Sequence, residues 1–171
     1  MEFLDLAKKR FSVRKFSDKP VEAEKLEKII EAGRVAPTAK NQQPQKIYVV
    51  KSREALEKIN TLSPCIYGAP TVLVVAYDTN RDWKSTFTEG KRMGETDSAI
   101  VCTHMMLEAA DLGVGSCWVG MFDSEQVKAG LGLPSDVCVC ALLPIGYAAE
   151  DCVPSERHTL YRDLEDTVKE I

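Results

Sequence analysis

A β-sheet covered by helices on both faces is the fold class predicted by this 171-residue sequence, and three stretches carry the prediction. Thr71 to Tyr77 is β-branched on nearly every second residue and apolar on both faces, as in a central strand shielded from water on two sides. Val137 to Ile145 reads the same way. Between them, Thr96 to Leu112 has helical spacing but is apolar almost all round, so the fold or a second subunit must bury it.

The elements follow in order. Phe3, Leu4, Leu6 and Ala7 make a helical stripe between Glu2 and Arg10 that is too short to stand alone and must dock on something. Ala23 to Val35 sets Leu26, Ile29, Ile30 and Gly33 at helical spacing, with Glu and Lys opposite, and Pro37 stops that helix. A polar loop from Thr38 to Pro44 leads into a strand at Ile47 to Val50, and a second amphipathic helix covers Glu54 to Asn60. After the strand at Thr71 and the apolar helix, Asp123 and Gln126 form a capping box for a short helix ending near Gly130 to Gly132. The tail from Pro154 to Ile171 offers only Leu160, Leu164 and Val168 as apolar contacts, the pattern of a segment that packs against another chain. No internal repeat divides the sequence. A chain of this length buries roughly 70% of its unfolded surface, enough for one sound core, so residues 1–171 are expected to form a single domain.

Charge and composition exclude several function classes. A net charge of −4 argues against a general nucleic-acid binder. The basic residues Lys8, Lys9, Arg10, Arg14 and Lys15 nevertheless crowd the N-terminus, and such a cluster on an acidic chain suits a small anion better than a duplex. The longest apolar run is too short for a bilayer and the N-terminus has no apolar signal core, so a cytoplasmic protein is expected. The six cysteines, without an export signal, read as free thiols set in apolar segments. There is no C-x-x-C pair, and His104 and His158 lie far apart, so no metal site is expected.

Three short segments bear chemistry. Arg10-Phe11-Ser12-Val13-Arg14 places two guanidinium groups four residues apart with a hydroxyl between them, the donors phosphate recognition uses; the same residues also read as a solvated basic helix end. Asn41, Gln42 and Gln43 offer amides that pair with the imide edge of a heterocycle, or serve as plain turn residues. Gly113 to Gly120 combines glycines that admit close backbone approach with the apolar face of Trp118; it lacks the spacing of a dinucleotide fingerprint, and a helix stop before a strand explains its first glycines equally well.

Together the pattern Arg10-x-Ser12-x-Arg14-x-Phe16, then Ala36-Pro37-Thr38-Ala39-x-Asn41-x-Gln43-Pro44, then Leu112 through Gly120, resembles the nitroreductase family of flavoenzymes over nearly the whole chain. The resemblance implies an α+β fold with a central mixed sheet flanked by helices, an intertwined homodimer, and FMN held between subunits. By the family pattern Arg10, Ser12 and Arg14 contact the ribityl chain, the phosphate and the pyrimidine edge. Pro37, Thr38, Asn41 and Gln43 face the flavin ring from the same or the other subunit. Trp118 flanks the ring, Gly120 supplies an amide to flavin N5, and Arg162, or failing it Arg157, reaches the phosphate from the tail. No catalytic side chain is required, because the flavin carries the electrons. The implied reaction is ping-pong hydride transfer from NADH or NADPH to a nitroaromatic, quinone or similar electron-poor acceptor. A flavin carrier or sensor, a flavoenzyme reduced by a protein donor, the family's dehalogenating or flavin-degrading members, and a cysteine-based reductase are the competing classes. The sequence departs from the family in two places: little chain separates Asp78 from Thr96, where longer members carry covering helices, and Tyr161 stands where a basic residue is common. His104 is expected to be a hydrogen-bonded interface histidine, and Cys117 a packed small residue rather than a redox thiol.

Overall fold

Residues apolar on both faces end up at the middle of the sheet. The computed structural model describes residues 2–171. In it β2 (Thr71–Asp78) and β4 (Val137–Gly146) pair antiparallel at the centre, with β1 (Gln45–Val50) and β3 (Gly115–Ser116) at the edges, in the order β1-β2-β4-β3. All three ladders are antiparallel. The parallel element that makes the arrangement mixed is a bridge from Ser12 to Ser116, which sets the N-terminal segment along the β3 edge.

Alternation along the strands divides the core between two helical layers. Leu73, Val75, Leu143 and Ile145 face α2 (Ala23–Arg34) and α4 (Gly94–Asp111), meeting Leu26, Ile29, Val101 and Met105. Val72, Val74, Ala76 and Leu142 face α3 (Arg53–Leu62) and α5 (Ser124–Leu131), meeting Ile59 and Val127. The all-round apolar helix is thus covered partly within the chain, by the sheet on one side and α2 on another. Gly33 permits the close approach of α2, since a Cβ there would lie 2.8 Å from Met105 Cγ. α4 starts two residues earlier than its apolar pattern suggests, because Gly94 packs flat on the Tyr77 ring where a side chain would overlap it. The Asp123 cap is present: its carboxylate accepts the Gln126 N–H at 2.8 Å, and Gly132 ends α5 in the left-handed conformation.

The termini bury little. α1 (Phe3–Lys9) rests on α4 through Leu6 and Ala7 but leaves Phe3 and Leu4 exposed. The tail, with its short α6 (Leu164–Thr167), leaves Leu160, Leu164 and Val168 in solvent. All six cysteines are free, Cys102 and Cys117 buried and the other four half-buried. His104 Nδ1 lies 2.9 Å from the Ile100 carbonyl oxygen of its own helix. Among the described residues no helix is long and apolar enough to cross a membrane.

Candidate functional site

The third sequence motif forms the outer edge of the sheet, and its hydrogen bonds decide which amides remain free. Cys117 and Val119 donate to the carbonyls of Pro144 and Leu142 at 3.2 and 2.9 Å, so their amides point into β4. Successive residues of an extended strand point their amides in opposite directions. The N–H groups of Trp118 and Gly120 therefore face away from the sheet, and neither has a hydrogen-bond partner among the described residues. Both residues are exposed.

The N-terminal motif lines the beginning of this edge. Val13 donates to the Ser116 carbonyl at 2.9 Å, Phe16 bridges Ala148, and the extended segment packs Val13 and Phe16 inward against Ala69. Gly115 makes the approach possible, because a Cβ there would stand 2.7 Å from Val13 Cγ2. With Phe11 and Val13 packed inward, period-two alternation puts Arg10, Ser12 and Arg14 on the opposite side together. There they influence Cys117: burial pushes its thiol up, while Arg14, Ser12 and Arg10 act against that shift. The thiol is packed at the sheet edge, 4% exposed. Arg14 also acts on Tyr67, whose hydroxyl is pushed up chiefly by its contact with the Cys65 thiol. Tyr67 sits in the left-handed region at φ 53°.

The middle motif lies elsewhere. Thr38 to Gln43 forms a tight loop with Lys40, Asn41 and Gln43 all in the left-handed region, at φ 48°, 54° and 48°. Non-glycine residues held there cost about 1–3 kcal/mol each and persist only where the surroundings impose them. Thr38 supplies two constraints, accepting the Asn41 N–H on its carbonyl at 2.9 Å and the Gln43 N–H on Oγ1 at 3.0 Å. A third comes from α4: Asp97 Oδ1 accepts the Ala39 N–H at 3.0 Å. Asn41 and Gln43 are left exposed, their amide side chains without a partner among the described residues.

Two rulers measure how far this loop stands from the other motifs. Asp97 and Asp111, near opposite ends of α4, are separated by about 21 Å of helix rise. Along the sheet, Pro44 accepts the Asp78 N–H at one end of β2 while Thr71, Ile145 and Ser116 stand level at the other, a run of about 23 Å. One chain therefore brings Arg10, Ser12 and Arg14 to one corner of the molecule, with Trp118 and Gly120 farther along the same edge, where Val119 pairs with Leu142 level with Val74, and Pro37, Thr38, Asn41 and Gln43 to the opposite corner. The cavity nearest the first group, lined by Leu6, Arg10, Phe11, Val13, Gly115 and Ser116, measures about 250 Å³, too small to enclose a drug-sized molecule. In the tail, the turn Glu156–Thr159 brings His158 edge-on to Phe11, ring centroids 6.2 Å apart, so the segment that carries the exposed Arg157 runs past the N-terminal motif. Arg162 lies farther along, in the exposed tail.

A profile of the nitroreductase family matches residues 7–63 and 60–147. The chain belongs to the nitroreductase family. It is similar to a nitroreductase family protein of known structure from Clostridium difficile 630, at 37% identity and a TM-score of 0.92, covering 99% of this chain and 98% of that one. A nitroreductase from Bacteroides fragilis, solved with bound FMN, superposes with a TM-score of 0.80 at 25% identity, over 100% of this chain and 99% of that one. An NADH dehydrogenase of Thermus thermophilus is 30% identical over 187 residues, covering 91% of each chain.

Sequence reasoning singled out all three motifs of this nitroreductase-family chain but not the groups around them. Asp97, Tyr67 and the Phe11–His158 contact had no local signal, because each joins residues far apart in sequence.

Proposed function

We propose that this nitroreductase-family chain is an FMN-dependent NAD(P)H oxidoreductase whose flavin sites are each completed by two copies of the chain. The observation that carries the reading is the unsatisfied donor edge: two outward amides at Trp118 and Gly120, on the edge that also bears Arg10, Ser12 and Arg14, with no acceptor for them among the described residues. These donors suit a ligand rich in acceptors, with a phosphate at one end and ring carbonyls and nitrogens at the other. FMN is such a ligand, and the Bacteroides fragilis relative holds it.

In this reading Arg10 and Ser12 hold the phosphate and ribityl end, with Arg157 approaching from the tail of the same chain. Arg14 sets the positive charge of its guanidinium at the pyrimidine edge. The Gly120 amide donates to the ring from the sheet edge, and the exposed face of Trp118 borders it. Asn41 and Gln43 stand at the far corner of their own chain, so they serve the site of a second copy. FMN, when bound, supplies the chemistry: it accepts a hydride from NADH or NADPH and passes two electrons to an electron-poor acceptor. Residues 79–93, between β2 and α4, form no helix to cover the site, which leaves room for a flat acceptor to follow the nicotinamide into the same place.

An absorbance spectrum of the purified protein, followed anaerobically during addition of NADH and then NADPH, tests the reading. The expected result is a yellow protein bleached by at least one donor, with parallel double-reciprocal lines in steady state. A yellow protein that resists both donors would instead mark a carrier or sensor, and a colourless protein that refuses added FMN would overturn the reading.

A further inference from the structure

The N-terminal turn of α4 contains an acid that the motifs do not include. Asp97 is 1% exposed. Its Oδ1 accepts the Ala39 N–H, while its Oδ2 is buried with no hydrogen-bond partner among the described residues. Two further orphaned oxygens share the same face of the sheet. Gln45 Oε1 is on the residue paired with Tyr77, whose ring packs on Gly94, and Ser98 Oγ is on the residue after Asp97. A carboxylic side chain is expensive to bury with one oxygen unmatched. Burial accordingly pushes the Asp97 carboxyl up, and the Ala39 N–H only partly offsets this.

What the chain obtains for that cost lies in the loop. Three residues of Thr38–Gln43 occupy left-handed backbone, and the two Thr38 bonds join the loop only to itself. The Asp97 bond ties it to the helix, and so fixes where Asn41 and Gln43 stand relative to the core. We propose that Asp97 is a positioning residue for the flavin-facing loop, holding Asn41 and Gln43 at the orientation in which they meet the flavin of a second copy. The inference rests on the flavin reading above and adds to it a residue that does not itself touch the cofactor.

The test compares Asp97→Asn, Asp97→Ala and Asp97→Leu with the parent protein. The asparagine keeps an acceptor for Ala39 and the volume of the side chain while removing its charge. Leucine keeps the volume and removes both oxygens, so a loop effect remains readable if the alanine variant does not fold. Two readouts are taken on folded protein: hydrogen exchange of the Ala39 amide without flavin, and FMN affinity with the visible circular dichroism of the bound flavin. The expected result is loss of Ala39 protection in the alanine and leucine variants, FMN binding weakened about tenfold or more, and an altered flavin spectrum. Asp97→Asn should restore all three, which a general loss of packing would not do. Retained Ala39 protection in Asp97→Leu, or unchanged FMN affinity and spectrum, would overturn the proposal. Parent protein that binds no FMN would overturn the flavin reading instead, and that result is seen before any variant is compared.

Discussion

Arg10→Ala and Arg14→Ala are each expected to raise the FMN dissociation constant about 10- to 100-fold, the effect of removing one partner of a charge-assisted hydrogen bond. Both side chains project from an extended segment whose fold depends on other residues: Val13 and Phe16 packed inward, and the Val13 N–H bonded to Ser116. Thermal unfolding of the two flavin-free variants should therefore match that of the parent. If the residues hold opposite ends of the flavin, their effects should multiply in the double variant, as separated sites generally do. Titration of flavin-free protein with FMN, followed by fluorescence quenching, measures all three constants, and wild-type affinity in both single variants would remove the phosphate and ring-edge assignments together.

Gly94→Ala should destabilise the fold by about 1–3 kcal/mol, the usual range for forcing an extra methyl into a packed core. A Cβ at this position overlaps the Tyr77 ring, which is 8% exposed and packed within the sheet. Alanine's advantage over glycine in a helix is at most about 1 kcal/mol, and less at a helix's first residue, so the overlap decides the sign. Urea unfolding measures the change. Trimming the ring with Tyr77→Leu should recover part of the loss, and simple additivity of the two substitutions would contradict the contact. Because Gly94 lies one turn before Asp97, displacing this end of α4 also disturbs the loop at Ala39.

How much of this was legible in the sequence depends on how far apart the interacting residues lie. β2 and β4 were readable because burial on both faces leaves an unbroken apolar run, and α2 because its stripe faces one layer only. The cap at Asp123 was readable because its partner is three residues away. The outward amides of Trp118 and Gly120 were not, since which amides remain free depends on the register against β4. Asp97 is an acid in the first turn of a helix, where the helix dipole favours one in any case, so nothing local distinguishes its bond to Ala39. The tail shows the same limit: the contact of His158 with Phe11 joins residues far apart in sequence, so nothing local announced that the turn Glu156–Thr159 docks on the N-terminal motif. The separation of the motifs was likewise hidden, because the sequence orders them without showing that they occupy opposite corners.

That separation is the basis of the central claim, that each site is assembled from two copies. A mixed-chain experiment tests it most directly. Arg14→Ala disables one corner, and Asn41→Gly disables the other while accepting the left-handed backbone at φ 54°. Each variant alone should be nearly inactive in NAD(P)H oxidation. In a two-fold dimer made of one copy of each, one site carries both defects and the other carries neither. Co-refolding the variants in equal amounts should thus recover about a quarter of wild-type activity, given random pairing into symmetric dimers. Activity no higher than the average of the two separate variants would contradict a site shared between chains.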